Sequence, residues 1–146
     1  MAASIYWYGL GFLSILNKEV DWASDAIRVS LHHNLVPNQD TYDYWDDVVG
    51  TECPATGNYV HNGALLGTPT IGYTAGTNVV KLSGDPVTWA GATIHATHAV
   101  IYDSTPGADA TNPLIAYVDF GGDVDSTAGD FMIAWNAGGI LTITPA

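Results

Sequence analysis

Glycine and proline interrupt this chain at short intervals along its whole length. The 146 residues include 16 Gly and 7 Pro, which favour many turns between short strands over a few long helices. In the second half, apolar runs at residues 70–73, 78–82 and 86–89 are bounded by glycines, at the rhythm of roughly 8 to 12 residues that is typical of sandwiches and barrels. The pattern predicts a mainly β fold, an antiparallel β-sandwich or barrel.

Two segments of the first half have clear periodicity. Residues 9–21 have apolar side chains at helical spacing, which predicts one short N-terminal helix. Residues 25–33 instead alternate strictly between apolar and polar, as in a strand with one buried face. The predicted buried face carries Ile27, Val29 and Leu31, and the opposite face carries Arg28, Ser30 and His32.

The longest apolar run, at residues 92–102, predicts a central strand. Further strands are predicted at residues 114–120, 131–135 and 140–143, separated by Gly121-Gly122-Asp123 and by Gly138-Gly139, with the last two strands forming a hairpin. Residues 35–54 follow no clean period and predict a long loop that carries contacts. One β-rich domain accounts for residues 1–146. Unless a bulge resets the register, one face of the central strand carries Ile94, Ala96, His98, Val100 and Tyr102.

Charged residues are scarce and mostly acidic. Lys and Arg number 3 against 15 Asp and Glu, for a formal net charge of -12, and charged residues make up 12% of the chain, about half the usual share. Nucleic acids and anionic membranes bind clustered cations, so the composition argues against both as partners. A surface with so few charges associates readily, and we expect a homo-oligomer, a trimer before other forms, or a monomer in repeated contact with a larger assembly.

The first 16 residues are apolar but contain no Lys or Arg, and they are shorter than the roughly 20 residues that a membrane helix needs. A secretory signal normally begins with a basic segment, so we expect mature protein here, made in a cytoplasm. The single cysteine, Cys53, has no internal disulfide partner, and we expect a small buried or turn-edge residue.

Metal coordination has only weak signals in the sequence. Asp123, Asp125 and Asp130 supply the oxygen ligands that calcium prefers, but their spacing does not fit an EF-hand loop. A turn is the favoured interpretation of residues 119–130, with a bound cation as the alternative. His95 and His98 are three residues apart and should lie on opposite faces of a strand, as should the adjacent His32 and His33. We therefore predict no metal site and no cofactor.

Catalytic motifs are absent from the sequence. There is no Gly-x-Ser-x-Gly elbow, no Cys beside a paired His, and no carboxylate pair in an evident cleft. Gly9 and Gly11 lack the third glycine and the Lys of phosphate-binding loops. We predict that the protein is not an enzyme.

Two aromatic clusters are the strongest remaining feature, and side chains of this kind either fill a core or anchor an interface. Both clusters lie outside the clear strand patterns of a chain poor in surface charge, which favours the interface. The candidate protein-contact residues are Tyr6, Trp7 and Tyr8 before the helix, and Tyr42, Tyr44 and Trp45 in the loop.

Several segments carry a resemblance to known proteins: residues 6–10, 20–22, 25–31 and 37–41 in the first half, and 87–89, 92–94, 99–103, 113–121 and 129–131 in the second. In this order along most of the chain, they resemble a family of small tailed-bacteriophage proteins encoded among virion structural genes. The resemblance implies a virion component, and with the N-terminal segment interpreted as mature protein we expect it to be made in the host cytoplasm. From it we infer a capsid decoration (cement) protein on the capsid exterior, with the major capsid protein as partner.

Two alternatives remain open at this stage. A head-completion or tail-associated virion component would show the same sequence features and would differ in copy number. A carbohydrate-binding module is the third hypothesis, because exposed aromatic side chains on a β-sandwich can stack on sugar rings, and Trp45 or Trp89 would be the stacking residue.

Overall fold

A computed structural model describes residues 3–145 and shows a mainly β protein with two antiparallel sheets. Strands make up 47% of the chain and helices 12%, which confirms the predicted fold class. Three short 3-10 helices lie at Trp45–Asp47, Val49–Thr51 and Asp109–Thr111. The main elements are β1 (Ser4–Trp7), α1 (Gly9–Leu16), β2 (Ile27–His32), β3 (Ala64–Leu65), β4 (Thr70–Thr74), β5 (Val79–Ser83), β6 (Val87–Asp103), β7 (Leu114–Ile133) and β8 (Leu141–Ile143).

The larger sheet has the strand order β1-β7-β6-β2-β3, and the smaller sheet has the order β4-β5-β8. Buried residues of both sheets form one hydrophobic cluster, in which Val29 of β2 and Ile115 of β7 join Leu82 of β5 and Leu141 of β8. Within the described part of the chain, no helix has the length and apolar character needed to cross a membrane.

The helix is shorter than predicted. It ends at Leu16, and Lys18 follows with a φ of 62°, a left-handed conformation that an α-helix cannot continue through. The apolar spacing extends beyond the helix because Val20 is still buried, although it lies in the following loop.

Strand β2 is buried on both faces, so the prediction of one exposed face is wrong. Ile27, Val29 and Leu31 do face the main core as predicted. On the other face, Ser30 and His32 are fully buried, because the loop at residues 35–54 packs over this side of the sheet.

The pairing of β6 with β7 contains the bulge that the sequence left open. The register with β7 shifts between Ala96 and His98. As a result, Ala96 and Ile101 belong to the main core, whereas Val100 and Tyr102 belong to the second cluster, under the loop.

The C-terminal hairpin and the break in the 114–133 region were predicted wrongly. Strand β7 continues through Gly121 and Gly122. Its end pairs with β6, with Phe131 opposite Trp89, while Leu141 of β8 lies opposite Leu82 in the other sheet. The turn at Gly139, which has a φ of 110°, therefore carries the chain from one sheet to the other.

Candidate functional site

The first aromatic cluster is divided between the surface and the core. Tyr6 is 44% exposed and its ring stacks on Tyr117 of β7, with 5.3 Å between centroids. Trp7 is half-buried and packs against the main core. Tyr8 is fully buried in the second cluster, so its side chain cannot serve as a protein contact and that prediction is corrected.

The loop cluster lies mostly inward. Trp45 is fully buried, 5.3 Å from the ring of Tyr102, and its indole N–H donates to Ser30 Oγ at 3.2 Å. The proposed surface contact is therefore wrong for Trp45. Tyr42 is half-buried against the same cluster, and half-buried Tyr44 donates its hydroxyl to Glu19 Oε1 at 3.3 Å.

The two tryptophans assigned to sugar stacking are both in the core. Trp45 is 0% exposed and Trp89 is 1% exposed, so neither ring presents a face to a ligand. The stacking site predicted for a carbohydrate-binding module is therefore wrong.

A buried polar network surrounds His32. Thr51 donates its hydroxyl to the Val48 carbonyl oxygen, so the His32 Nδ1–H donates to Thr51 Oγ1 at 3.0 Å. The Ser30 hydroxyl, which accepts from Trp45, then donates to His32 Nε2 at 2.8 Å. Burial lowers the pKa of His32 to about 3. This histidine is neutral and stabilises the packing of the loop on β2.

Glu52 and His61 form a second His–carboxylate contact. The Glu52 carboxylate is buried, accepts from the Tyr59 hydroxyl at 2.9 Å and contacts His61 Nδ1. Burial raises the pKa of Glu52. The exposed imidazole borders a polar pocket of about 320 Å³ that also contains Ser104, whose hydroxyl donates to the Ala26 carbonyl oxygen at 2.8 Å.

The β4–β5 hairpin is an exposed apolar surface that the sequence analysis missed. All five residues of β4 are exposed, and β4 is an edge strand of the smaller sheet. Ile71 is 50% exposed and Tyr73 is 59% exposed. They lie opposite Leu82 and Val80 of β5, so the core-facing side of this sheet extends beyond the core into solvent. The sequence predicts a strand at residues 70–73, but its local pattern does not show that Ile71 and Tyr73 remain exposed.

A second apolar surface borders the larger sheet. A groove of about 510 Å³ lies between β1 and the end of β7. Met132 in it is 60% exposed and Val124 is 40% exposed. Its lining also includes the half-buried residues Ile5, Phe120 and Trp135.

Residues 119–130 form no turn, which corrects the favoured interpretation. They lie within β7, where Asp125 is opposite His95 and Asp119 is opposite His98. His95 Nδ1 hydrogen-bonds to Asp125 Oδ1, and this bond raises the pKa of His95. Burial lowers the pKa of His98, whose Nε2 lies 3.9 Å from Asp119 Oδ1.

His33, which directly follows β2, lies beside His95 of β6. Their ring centroids are 4.2 Å apart. Comparing His95 with His98 within β6 could not predict this contact, because His33 lies outside that strand. Within residues 3–145, the one group of three ligand-type side chains close enough to share a metal ion is His33, His95 and Asp123. The calcium alternative of Asp123 with Asp125 and Asp130 is not such a group.

No protein-family profile, curated protein or solved structure matches this chain.

Proposed function

We propose that this protein is a bacteriophage virion structural protein, a capsid decoration (cement) protein. It binds the outside of the assembled head and stabilises neighbouring subunits of the major capsid protein. Two features support this proposal: the ordered resemblance to small virion proteins and the exposed apolar hairpin. The hairpin is the observation that carries it, because it offers a contact surface that the fold itself leaves uncovered.

The hairpin has the composition of a protein contact. Tyr73 and Ile71 are each at least half exposed, and tyrosine is enriched in the cores of interfaces. The backbone edge of β4 is not paired with another strand of the described sheet. An edge strand of this kind can take a further strand from a partner, with the side chains adding specificity. We assign the capsid contact to this hairpin.

The proposed oligomer uses a different surface. Tyr6 and the groove beside β1 and β7 lie on the larger sheet, whereas the hairpin belongs to the smaller one. Association of copies through the larger sheet would leave the hairpins free for the capsid. A homo-oligomer, with a trimer as the first expectation, fits this division, and light scattering on the purified protein measures it.

Binding to purified heads tests the contact. We would compare the wild type with the double variant Ile71→Ser/Tyr73→Ser in co-sedimentation with heads of the phage that encodes the chain. The matched control is Val36→Ser/Val60→Ser, which removes two apolar side chains that are 79% and 56% exposed elsewhere. We expect the hairpin variant to bind at least about tenfold more weakly, the cost of losing an interface anchor, while the control binds like the wild type.

Salt and copy number complete the test. An apolar contact should be nearly insensitive to ionic strength between low and physiological salt. A steep loss would instead assign the attachment to the acidic side chains Asp40, Asp43, Asp46 and Asp47. Densitometry of virions should give hundreds of copies. About a dozen copies would indicate a head-completion or tail component, and absence from virions would refute a structural role.

A further inference from the structure

Three side chains from three separate segments meet on the surface of the larger sheet. His33 directly follows β2, His95 lies on β6, and Asp123 lies on β7. One potential ligand atom of each lies within 4.8 Å of the others. The cluster combines two imidazoles with one carboxylate, which is a mixed nitrogen and oxygen donor set.

The backbone of β7 places the carboxylate in this cluster. Ala96 is opposite Val124 and His98 is opposite Asp119, so β6 advances two residues where β7 advances five. The extra residues leave the ladder as a bulge, and Gly121 and Gly122 have φ values of 77° and 158° in it. These glycines permit a backbone conformation that other residues adopt at a cost. Asp123 follows them directly.

A neighbouring carboxylate orients the central imidazole. Asp125 Oδ1 hydrogen-bonds to His95 Nδ1, which leaves Nε2 as the free ring nitrogen. That Nε2 lies 3.9 Å from Asp123 Oδ1. Histidines that bind metals almost always use one nitrogen for the ion and the other for such a carboxylate, which fixes the tautomer. The pair of His95 and Asp125 therefore has the arrangement of a ligand with its supporting group.

The remaining imidazole is available for the same ion. His33 Nδ1 is buried and has no hydrogen-bond partner among the described residues. Ligands of a tetrahedral zinc ion at 2.0 to 2.1 Å lie about 3.3 Å apart. The side chains of His95 and Asp123 are 52% and 56% exposed, so small rotations can close the cluster from 4.8 Å to this spacing. The net charge of -12 also favours a bound cation.

We propose that His33, His95 and Asp123 form a zinc-binding site, with Asp125 as the residue that orients His95 and water completing the coordination. Zinc is chosen over calcium because two of the three ligands are imidazoles, whereas calcium takes oxygen ligands. The site lies on the larger sheet, whereas the proposed capsid contact lies on the smaller one. Zinc binding and capsid binding are therefore independent proposals.

Zinc titration of the chelator-treated protein tests the site. By calorimetry, we expect the wild type to bind one Zn²⁺ per chain. We expect Asp123→Asn, His33→Gln and His95→Gln each to weaken binding by more than about tenfold, and Asp125→Asn to weaken it by about 10 to 100-fold. The matched control is Asp130→Asn, which makes the same charge change at an exposed position of the same strand and should bind zinc like the wild type.

Histidine NMR gives a second measurement that does not depend on the variants. Zn²⁺ should shift the ring resonances of His33 and His95 and leave those of His61 in place. The proposal is overturned if the wild type binds no Zn²⁺ at about 100 μM, if Asp123→Asn and Asp130→Asn lose affinity equally, or if the zinc signal appears on His61 instead. Displacement of Zn²⁺ by equimolar Ca²⁺ would likewise overturn it, because that result indicates an oxygen-only site.

Discussion

Acid is expected to weaken this fold through the buried imidazole of His32. The side chain is fully buried, and both ring nitrogens already have partners in Ser30 and Thr51. Burial, with a smaller contribution from nearby His98, lowers the pKa of His32 from 6.5 to about 3. Between these two values the unfolded chain binds a proton that the folded chain does not. The free energy of unfolding therefore falls as the pH falls through this window.

The size of the effect follows from the pKa difference. One pKa unit corresponds to about 1.36 kcal/mol. A pH of 5 lies about 1.5 units below the ordinary histidine pKa of 6.5. Protonation of the unfolded chain at pH 5 therefore removes about 2 kcal/mol of stability relative to pH 7.5. At pH 4 the loss rises to about 3 kcal/mol. Since a domain of this size has a total stability of about 5 to 15 kcal/mol, a loss of this size is measurable.

Buried carboxyl groups act in the opposite direction. Burial raises the pKa values of Glu52 and Asp103. Their contribution to stability is complete below their ordinary pKa values and is lost as the pH rises through the raised ones, so it grows on acidification. The pH profile of the wild type alone therefore combines two signs. A comparison with His32→Gln isolates the imidazole.

Urea unfolding of the wild type and His32→Gln at pH 7.5 and pH 5 measures the effect. The wild type should lose about 2 kcal/mol more than the variant over this interval. Parallel profiles, within about 0.5 kcal/mol, would refute the reasoning. If the variant does not fold, ring resonances of the wild type still decide the matter: those of His32 should not titrate between pH 8 and pH 5, and a midpoint near 6.5 would contradict the predicted neutral state.

Three further predictions concern packing. Replacing Trp45 by Ala should lower the free energy of unfolding in urea by about 3 to 5 kcal/mol, because the side chain is fully buried; a loss below about 1 kcal/mol would place it at the surface. Gly11→Ala should lower the free energy of unfolding by about 1 to 3 kcal/mol, because the added Cβ would lie 2.7 Å from the Ile115 carbonyl oxygen. In the control Gly72→Ala, the added Cβ meets no atom within 4 Å, so stability should change by less than about 1 kcal/mol. Equal effects of the two substitutions would contradict the close approach of α1 to β7. Burial raises the pKa of the Cys53 thiol to about 11, so a thiol reagent at pH 8 should react only as fast as the chain opens, and rapid reaction of the native protein would show otherwise.

The periodic segments could be predicted because their local pattern and their burial agree. The alternation of Ile27, Val29 and Leu31 identifies β2, and these three side chains do face the main core. The opposite face could not be predicted from alternation, because polar Ser30 and His32 suggest solvent. Their burial depends on hydrogen bonds to Trp45 and Thr51 in the loop, which are contacts between distant residues that a local pattern does not contain.

The aromatic loop at residues 42–45 is a second case in which a local sequence pattern does not predict burial. Residues 42–45 have no strand or helix period, and on a chain poor in surface charge this favours a protein interface. In the structure, Trp45 begins a 3-10 helix and its ring fills the space beside Tyr102. Large side chains in irregular segments can still belong to the core, because a loop that lies across a sheet buries its own side chains against that sheet. Composition identified the important residues here but not the direction in which they point.

The glycine pair at 121 and 122 explains both a failed prediction and the histidine–aspartate cluster. Local sequence signals for a turn and for a bulge are the same, because both need residues that tolerate positive φ. The choice between them depends on the partner strand. The 17-residue β6 extends past the glycines on both sides, so continuing the ladder pairs backbone groups that a turn would leave to water. The surplus residues of β7 then leave the ladder as a bulge. This bulge places Asp123 beside the ring of His95.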